Sequence, residues 1–513
     1  MICQHPCDII YGVVMTLFGQ SNRKKGGIMG IFAEWREKVP FIKGLVNAQK
    51  TVWYPVLFAA LCILGGINNY TVYIPVMWVL IAFSLFSVLF TDDNKVFLTP
   101  LCMIYFAIGC DTDPGAFVQT GGELLSFMSD DALKHIIAMG IVGVGAFVIR
   151  LFVDGSIARA LKKHRGFTWG IIAMDVAFML NGIGSPTYNT ANIGYGALLA
   201  MGFTVVYFFV SGMIENSEDP ITYGCYAMVG TAYIALMQTF TLAWRLHLEG
   251  NLILGTPEDP YLNRGAFALG WGVSTVIAAV FVLGIPAAMY LAKNRKGSLF
   301  TYLSCVLFIF GAFLIITRSA MVVSVGTFVI CTLVCCVRGK NKKAIRVYAI
   351  IVLAMTVITV AYILNNVMTL EKLLAFLRID EYRDSGRGAL WKDGLEDFKN
   401  APFFGAGFND GGYPDGAGYK NFYSNMYHCI LVQMPGAMGI VGCIAILVHF
   451  FELAKTFFKN FSVDKMLLLF VPLMIIGMSL LDNFFFYLEF QIFYGVFLAL
   501  AEKQSEQREL SCE

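Results

Sequence analysis

Apolar runs of about bilayer length recur along almost the whole chain, and that repetition leaves few folds open. Broken by short polar clusters, they lie near 52 to 67, 71 to 90, 96 to 110, 135 to 153, 167 to 184, 193 to 213, 221 to 244 and 266 to 291. Six more lie near 299 to 316, 319 to 337, 345 to 364, 426 to 450, 466 to 481 and 485 to 501. A helix of roughly 20 residues crosses a hydrocarbon core, and only helices and closed barrels satisfy their backbone there. The runs predict an all-α polytopic integral membrane protein with about 12 to 14 transmembrane helices. The lower number applies if short runs such as 52 to 67 and 96 to 110 do not cross.

Composition closes the other routes. Of 513 residues, 58% are hydrophobic and 14% charged, against about 25% charged in a soluble domain. A net charge of +2 provides no basic field for nucleic acid. The 13 cysteines show no C-x-x-C spacing, and most, such as Cys62, Cys225 and Cys443, sit inside apolar runs as small hydrophobes. Residues 1–50 show no secretory signal: Ile9 to Phe18 is too short to span and its basic residues follow it. The expected organisation is an N-terminal cytoplasmic tail over 1–50, a multispan membrane domain over 51–502 and a cytoplasmic C-terminal tail over 503–513.

Charge in the short connections sets orientation. Arg159, Lys162, Lys163 and Arg165, then Lys293, Arg295 and Lys296, then Arg338, Lys340, Lys342, Lys343 and Arg346 all fall on the side of the N-terminal segment. The positive-inside rule makes that side cytoplasmic, with both termini on it. Glu215, Glu218 and Asp219 are the exception, an acidic connection on the same side without a basic residue of its own. The opposite side receives one large polar insert, 365–425, and a connection of that length is usually functional.

Within that insert, Trp391, Leu395 and Phe398 fall on one stripe of a short amphipathic helix, and Arg387 shares it one turn earlier. An arginine at a helix N-terminus offers a forked donor beside orphan backbone N–H groups, a fit for diphosphate. Pairing with Asp384 or Glu381 is the alternative. Glycines from Gly405 to Gly418 then interleave with Phe408, Tyr413 and Tyr419, as a sugar-binding or interfacial loop would. His428 stands where the chain re-enters the membrane, usable as a general base or as a packing group. Arg318 interrupts an apolar stretch on the same side, and a charge flanked by spans marks function by default. Asp482 and Glu489 sit near that side and are expected to orient an arginine. Asp175 is expected to pair with Arg150 or a helix carbonyl.

The run Arg387-Gly388-Ala389-Leu390-Trp391, then Pro402-Phe403-Phe404-Gly405-Ala406-Gly407, then His428, Gly436 and Gly439 resembles the signature of the bacterial O-antigen ligase and polymerase superfamily. Thr317-Arg318-Ser319-Ala320 resembles that family's earlier arginine motif, with Thr317 and Ser319 where serine and glycine are usual. Cys429 follows the histidine in place of the common asparagine, and Asn425 stands one turn earlier. The specific likeness covers about 315–440. It implies a multispan membrane glycosyltransferase of the GT-C type that acts at the outer face of a bacterial plasma membrane. The donor would be a glycan on undecaprenyl diphosphate and the acceptor a glycan, a lipid or the cell wall, with no metal or other cofactor. Arg318 and Arg387 would hold the diphosphate, His428 would act on the acceptor, and Trp391, Tyr427 and Asn425 would contact acceptor or glycan. A transporter or flippase of lipid-linked sugars is the competing class, expected to show broken helices with polar sites at the midplane.

Overall fold

The computed structural model describes residues 28–67, 70–108, 130–248, 267–366, 387–408 and 427–512, apart from 163, 164, 187, 296 and 316. Its first half contains α1 (Ile28–Lys38), α2 (Pro40–Gln49), α3 (Trp53–Ile67), α4 (Tyr70–Phe90), α5 (Leu98–Ile108), α6 (Asp130–Val153) and α7 (Ser156–Lys162). These are followed by α8 (Thr168–Leu180), α9 (Thr190–Ile214) and α10 (Pro220–Leu248). A two-residue hairpin, β1 (Ala268–Leu269) with β2 (Gly272–Val273), leads into α11 (Ser274–Asn294), α12 (Ser298–Leu314), α13 (Arg318–Val337) and α14 (Lys342–Asn365). The last helices are α15 (Arg387–Asn400), α16 (Ile430–Phe458), α17 (Val463–Met478) and α18 (Leu488–Cys512). The chain is an all-α polytopic membrane protein.

A helix stands at each of the fourteen apolar runs, but their lengths differ. Among the described residues seven helices are long and apolar enough to cross a membrane, or eight if α2 and α3, bent by 82° at their junction, form one broken span. Others are shorter apolar helices, such as Thr168–Leu180 and Ser298–Leu314. The 13 residues of α8 rise about 20 Å, less than the ~30 Å core. Its end is fixed by Asn181 and by Gly182, whose φ of 71° leaves the helical region.

The bundle is built around α11, which is buried along almost its whole length. Alanines and a glycine (Ala278, Ala279, Gly284, Ala287, Ala288) let its neighbours α10, α12, α13 and α17 approach closely, the usual means of packing helices where lipid removes the hydrophobic drive. Antiparallel succession brings the N-termini of α9, α11, α13, α16 and α18 to one end, called here the upper end. The ends of α8, α12, α14 and α17 lie there too.

The lower end carries the basic connections and also explains the acidic one. Glu215 lies 3.3 Å from Arg165, Asp219 pairs with Arg295, and the Glu218 carbonyl accepts a 2.6 Å bond from Lys95 Nζ. The acidic connection is neutralised by cations from other loops, which spacing along the chain does not show. Within the segment expected as a tail, α1 and α2 are anchored by Arg36 and Lys50 to Asp92. Burial of Asp92 works against its ionisation, but the bond to Lys50, aided by Arg36, outweighs it and holds the carboxyl below its ordinary value. At the other terminus α18 runs on as helix through Cys512.

Asp175 takes neither expected partner: it accepts from Thr204 Oγ1 across α8 and α9. Arg150 instead donates to the carbonyls of Val88 and Thr91, at 3.2 and 2.9 Å.

Candidate functional site at the upper end

Arg318 and Arg387 are each the first residue of a helix, α13 and α15. Neither first turn contains an acidic residue. A cation at the positive end of a helix dipole is placed against the local field, at a cost of about 0.3–1 kcal/mol. The combination of guanidinium and exposed backbone N–H groups becomes favourable when an anion lies between them. The position of α13 is fixed by Thr317, whose buried hydroxyl donates to the Ser274 carbonyl at the start of α11, 3.3 Å away.

Helix α15 is held by its adjoining edge. Gly394 is buried against α16, and a Cβ there would stand 2.6 Å from Val432 Cγ1 and 2.9 Å from Tyr427 Cδ1. Tyr427 Oη donates to Asp397 at 2.6 Å, one turn further along α15. The Trp391 and Leu395 stripe therefore stays outside that contact, with Trp391 38% exposed. Trp391 is available to a ligand or the membrane surface. Tyr427, expected as an acceptor or glycan contact, is 3% exposed and packs between α15 and α16. Asn425 lies outside the described residues, as do Asp384 and Glu381.

His428 follows directly. Its Nδ1 lies 2.9 Å from Asp482 Oδ1, in the connection between α17 and α18. Facing a carboxylate, which accepts when ionised, Nδ1 is the donor of the pair, and in the neutral imidazole the lone pair then falls on Nε2. The His428 side chain is 36% exposed while Asp482 is 11% exposed, so the carboxylate is the more buried member of the pair. The same Asp482 oxygen accepts from the Asn483 N–H at 2.8 Å. The backbone around the histidine is fixed on both sides: Tyr427 N donates to Gln433 Oε1 at 2.9 Å, and Ile430 N to the Ser479 carbonyl at 2.7 Å. Asp482 was expected to orient an arginine; it orients the histidine instead. Cys429, buried, stands at the N-cap of α16 and contributes its carbonyl to Val432 and Gln433.

The glycine-aromatic run does not lie at an interface over its described part. Helix α16 is broken at Gly439 (φ 62°, ψ −152°), about 13 Å below its start. Residues 402–408 descend to fill the break. Ala406 N donates to the Gly436 carbonyl (2.8 Å), Gly407 N to Ala437 (3.0 Å) and Ile440 N to Pro402 (2.8 Å). Irregular backbone at that depth is tolerated where protein satisfies it. Asn181 clamps the same run, accepting from Phe408 N at 3.2 Å while Nδ2 donates to the Asn192 carbonyl at 3.0 Å. Asn181 is an amide within the apolar run 167–184, and no spacing along the chain ties it to residue 408. The break in α16 is thus closed by the chain itself, unlike the ion-binding breaks of transporters.

The structure joins Arg387's helix, Tyr427, His428 and Asp482 into one connected assembly, and brings Arg318 to the same end through α11. Among the described residues no group of three or more His, Cys, Asp or Glu side chains is placed to hold a metal ion. The family model described as O-antigen ligase matches residues 303–447, which include Arg318, Arg387 and His428. No curated protein matches the chain.

Proposed function

We propose, on the support of the match of residues 303–447 to the O-antigen ligase family model, that the chain acts as a ligase or polymerase in surface polysaccharide synthesis, by glycosyl transfer from a polyprenyl diphosphate donor. The donor is a glycan on undecaprenyl diphosphate, held by Arg318 and Arg387. The reaction takes place at the upper end, on the extracytoplasmic face of the cell membrane, a reading supported by the positive charge gathered at the lower end.

The acceptor hydroxyl is placed against His428 Nε2. As its oxygen forms a bond to the anomeric carbon, the proton moves to Nε2 and the bond from that carbon to the diphosphate oxygen breaks. Asp482 faces the developing imidazolium at 2.9 Å and stabilises it. The departing diphosphate carries the developing negative charge, and two arginines at helix N-termini stabilise it where they already stand. Nothing in this route requires a metal.

The observation that carries the reading is the His428–Asp482 pair at the same end as Arg318 and Arg387, within and beside the matched segment. The test is transfer by purified protein from a synthetic undecaprenyl diphosphate glycan, with Arg318→Ala, Arg387→Ala and His428→Ala as variants. Undiminished transfer in all three would exclude these roles. Deletion of the gene separates the acceptors: accumulated single repeats indicate a polymerase, and accumulated long lipid-linked chains a ligase.

A further inference from the structure

Helix α14 has an unusual relation to the rest of the bundle. Only one of its residues, Ile345, is buried. Its lower part is attached: Arg346 Nε donates to the Cys336 carbonyl at 2.8 Å, the Tyr348 ring packs tilted against Tyr302 with centroids 5.7 Å apart, and Val352 packs on the core. Beyond Val352 the residues are exposed almost without interruption to the end of the helix. A spanning helix that packs along one face would show a buried stripe over its full length. Here α13 and α14 are joined at the lower end by the turn at 338–341 and separate toward the upper end, leaving a wedge open to the bilayer.

The wall of the wedge on α13 is continuous with the site. Val322, Val325, Val329 and Leu333 follow Arg318 at four, seven, eleven and fifteen residues, and therefore share its face of the helix. All four are exposed, Val322 at 74%. The opposite face of α13 (Ala320, Ser324, Thr327, Cys331) is buried in the bundle. This apolar stripe runs about 22 Å down from Arg318, most of the way through a ~30 Å hydrocarbon core. Gly326 has nothing within 4 Å of where a Cβ would stand, so the wall is also locally recessed.

We propose that the wedge between the upper halves of α13 and α14 is the seat of the donor's polyprenyl chain, with the diphosphate above it at Arg318. The seat rests on the donor reading given above. A diphosphate bound at Arg318 must release its lipid chain into hydrocarbon within a few ångströms of that residue, and the stripe begins one turn below it. A long isoprenoid packs along the whole stripe, exchanging loose contact with lipid for closer van der Waals contact with fixed side chains, whereas a short one reaches only its top. The wedge therefore makes the enzyme selective for chain length, and α14 contributes to donor binding without touching the reacting atoms.

The experiment uses the full-length protein in nanodiscs and two donors with the same glycan diphosphate, one on undecaprenyl and one on geranyl. Val325→Trp and Val329→Trp fill the stripe from lipid-exposed positions, and gel filtration confirms that both fold. The expected result is a KM for the undecaprenyl donor raised about 10-fold, equivalent to ~1.4 kcal/mol, with less than about a 2-fold change for the geranyl donor. A diazirine placed mid-chain in the undecaprenyl donor is expected to label α13 and α14. Equal effects on both donors, no effect on the long one, or labelling confined to other helices would overturn the seat and leave ordinary bilayer lipid or a second protein helix as the occupant. Unmodified protein that uses neither donor would overturn the donor reading itself.

Discussion

His428 and Asp482, 54 residues apart in the chain, meet as an Nδ1–Oδ1 pair at 2.9 Å, and His428 is held there in a left-handed backbone conformation with φ 51°. That conformation costs a non-glycine residue on the order of 1–2 kcal/mol and persists only where surrounding bonds over-determine it. The bonds are present: Gln433 fixes the residue before the histidine, and Ser479 the residue two after it. A strained backbone, a carboxylate behind the ring and a part-exposed side chain all fit the role in proton transfer proposed for His428.

Removing the base and removing its orienting partner should differ in degree. His428→Ala is expected to lower kcat by about 10²–10⁴-fold, the usual contribution of a positioned base. Asp482→Asn leaves the imidazole in place but no longer dictates which nitrogen carries the proton, and should lower kcat by at least about 10-fold with donor KM little changed. Steady-state transfer assays decide this. An Asp482→Asn enzyme with unaltered kcat would reduce the pair to a packing contact.

Arg318 and Arg387 are expected to act on the leaving group. Losing one fixed cation from a site where charge develops costs about 3–4 kcal/mol of transition-state stabilisation, or roughly 10²–10³ in kcat/KM. Arg387→Lys should recover only part of the loss, because an ammonium lacks the forked donor. Transfer should also persist in excess EDTA if these cations do the work otherwise done by a metal. Abolition of transfer by EDTA, restored by Mg²⁺, would contradict the assignment.

How much of this was legible in the sequence depends on the range of the interaction involved. The helices at the fourteen runs follow from local hydropathy; Arg318 stands out as a charge interrupting an apolar stretch, His428 by its place where the chain re-enters the membrane, and Arg387 by its place on an amphipathic stripe. The pairing of His428 with Asp482 is tertiary, so Asp482 could be placed at the right face but given the wrong partner. For Tyr427 the resemblance implies an acceptor or glycan contact; its burial depends on Gly394, which lies in another helix. The descent of residues 402–408 into α16 was hidden for the same reason. Glycine content marked freedom of backbone, but not the Gly436 and Ala437 carbonyls that it would reach. Helix lengths were overestimated where a cap such as Asn181 ends a run that hydropathy alone continues.

The Tyr427–Asp397 bond predicts an effect on donor binding without direct contact. It ties α15, and therefore Arg387, to the start of α16. Tyr427→Phe keeps the ring against Gly394 but deletes a hydrogen bond to a charged group, which typically stabilises by about 1.5–3 kcal/mol. Donor KM should rise several-fold while the folded protein remains intact, and Asp397→Asn should do less because an amide still accepts. A Tyr427→Phe enzyme with lowered kcat and unchanged donor KM would instead place Tyr427 in the chemistry.

Gly405 tests whether the inserted run is a structural requirement of the site. Its φ of 70° is unfavourable for any side chain, and a Cβ there would overlap the backbone of Ala437 and Met438. Backbone on the facing side cannot rotate away, so Gly405→Ala must either withdraw residues 402–408 from the break in α16 or shift α16 itself. The conformational cost of about 1–2 kcal/mol adds to an overpacking cost of about 1–3 kcal/mol. Gly184 provides the control: its φ is 81° but nothing lies within 4 Å of its Cβ position, so Gly184→Ala carries the conformational cost alone. Thermal unfolding in detergent, followed by fluorescence-detected gel filtration, should therefore show a larger drop in midpoint for Gly405→Ala than for Gly184→Ala. Transfer activity should fall in the first and persist in the second, because only residue 405 holds in place the helix whose first turn follows His428. Equal midpoints for the two variants would mean that the run is not seated in the break.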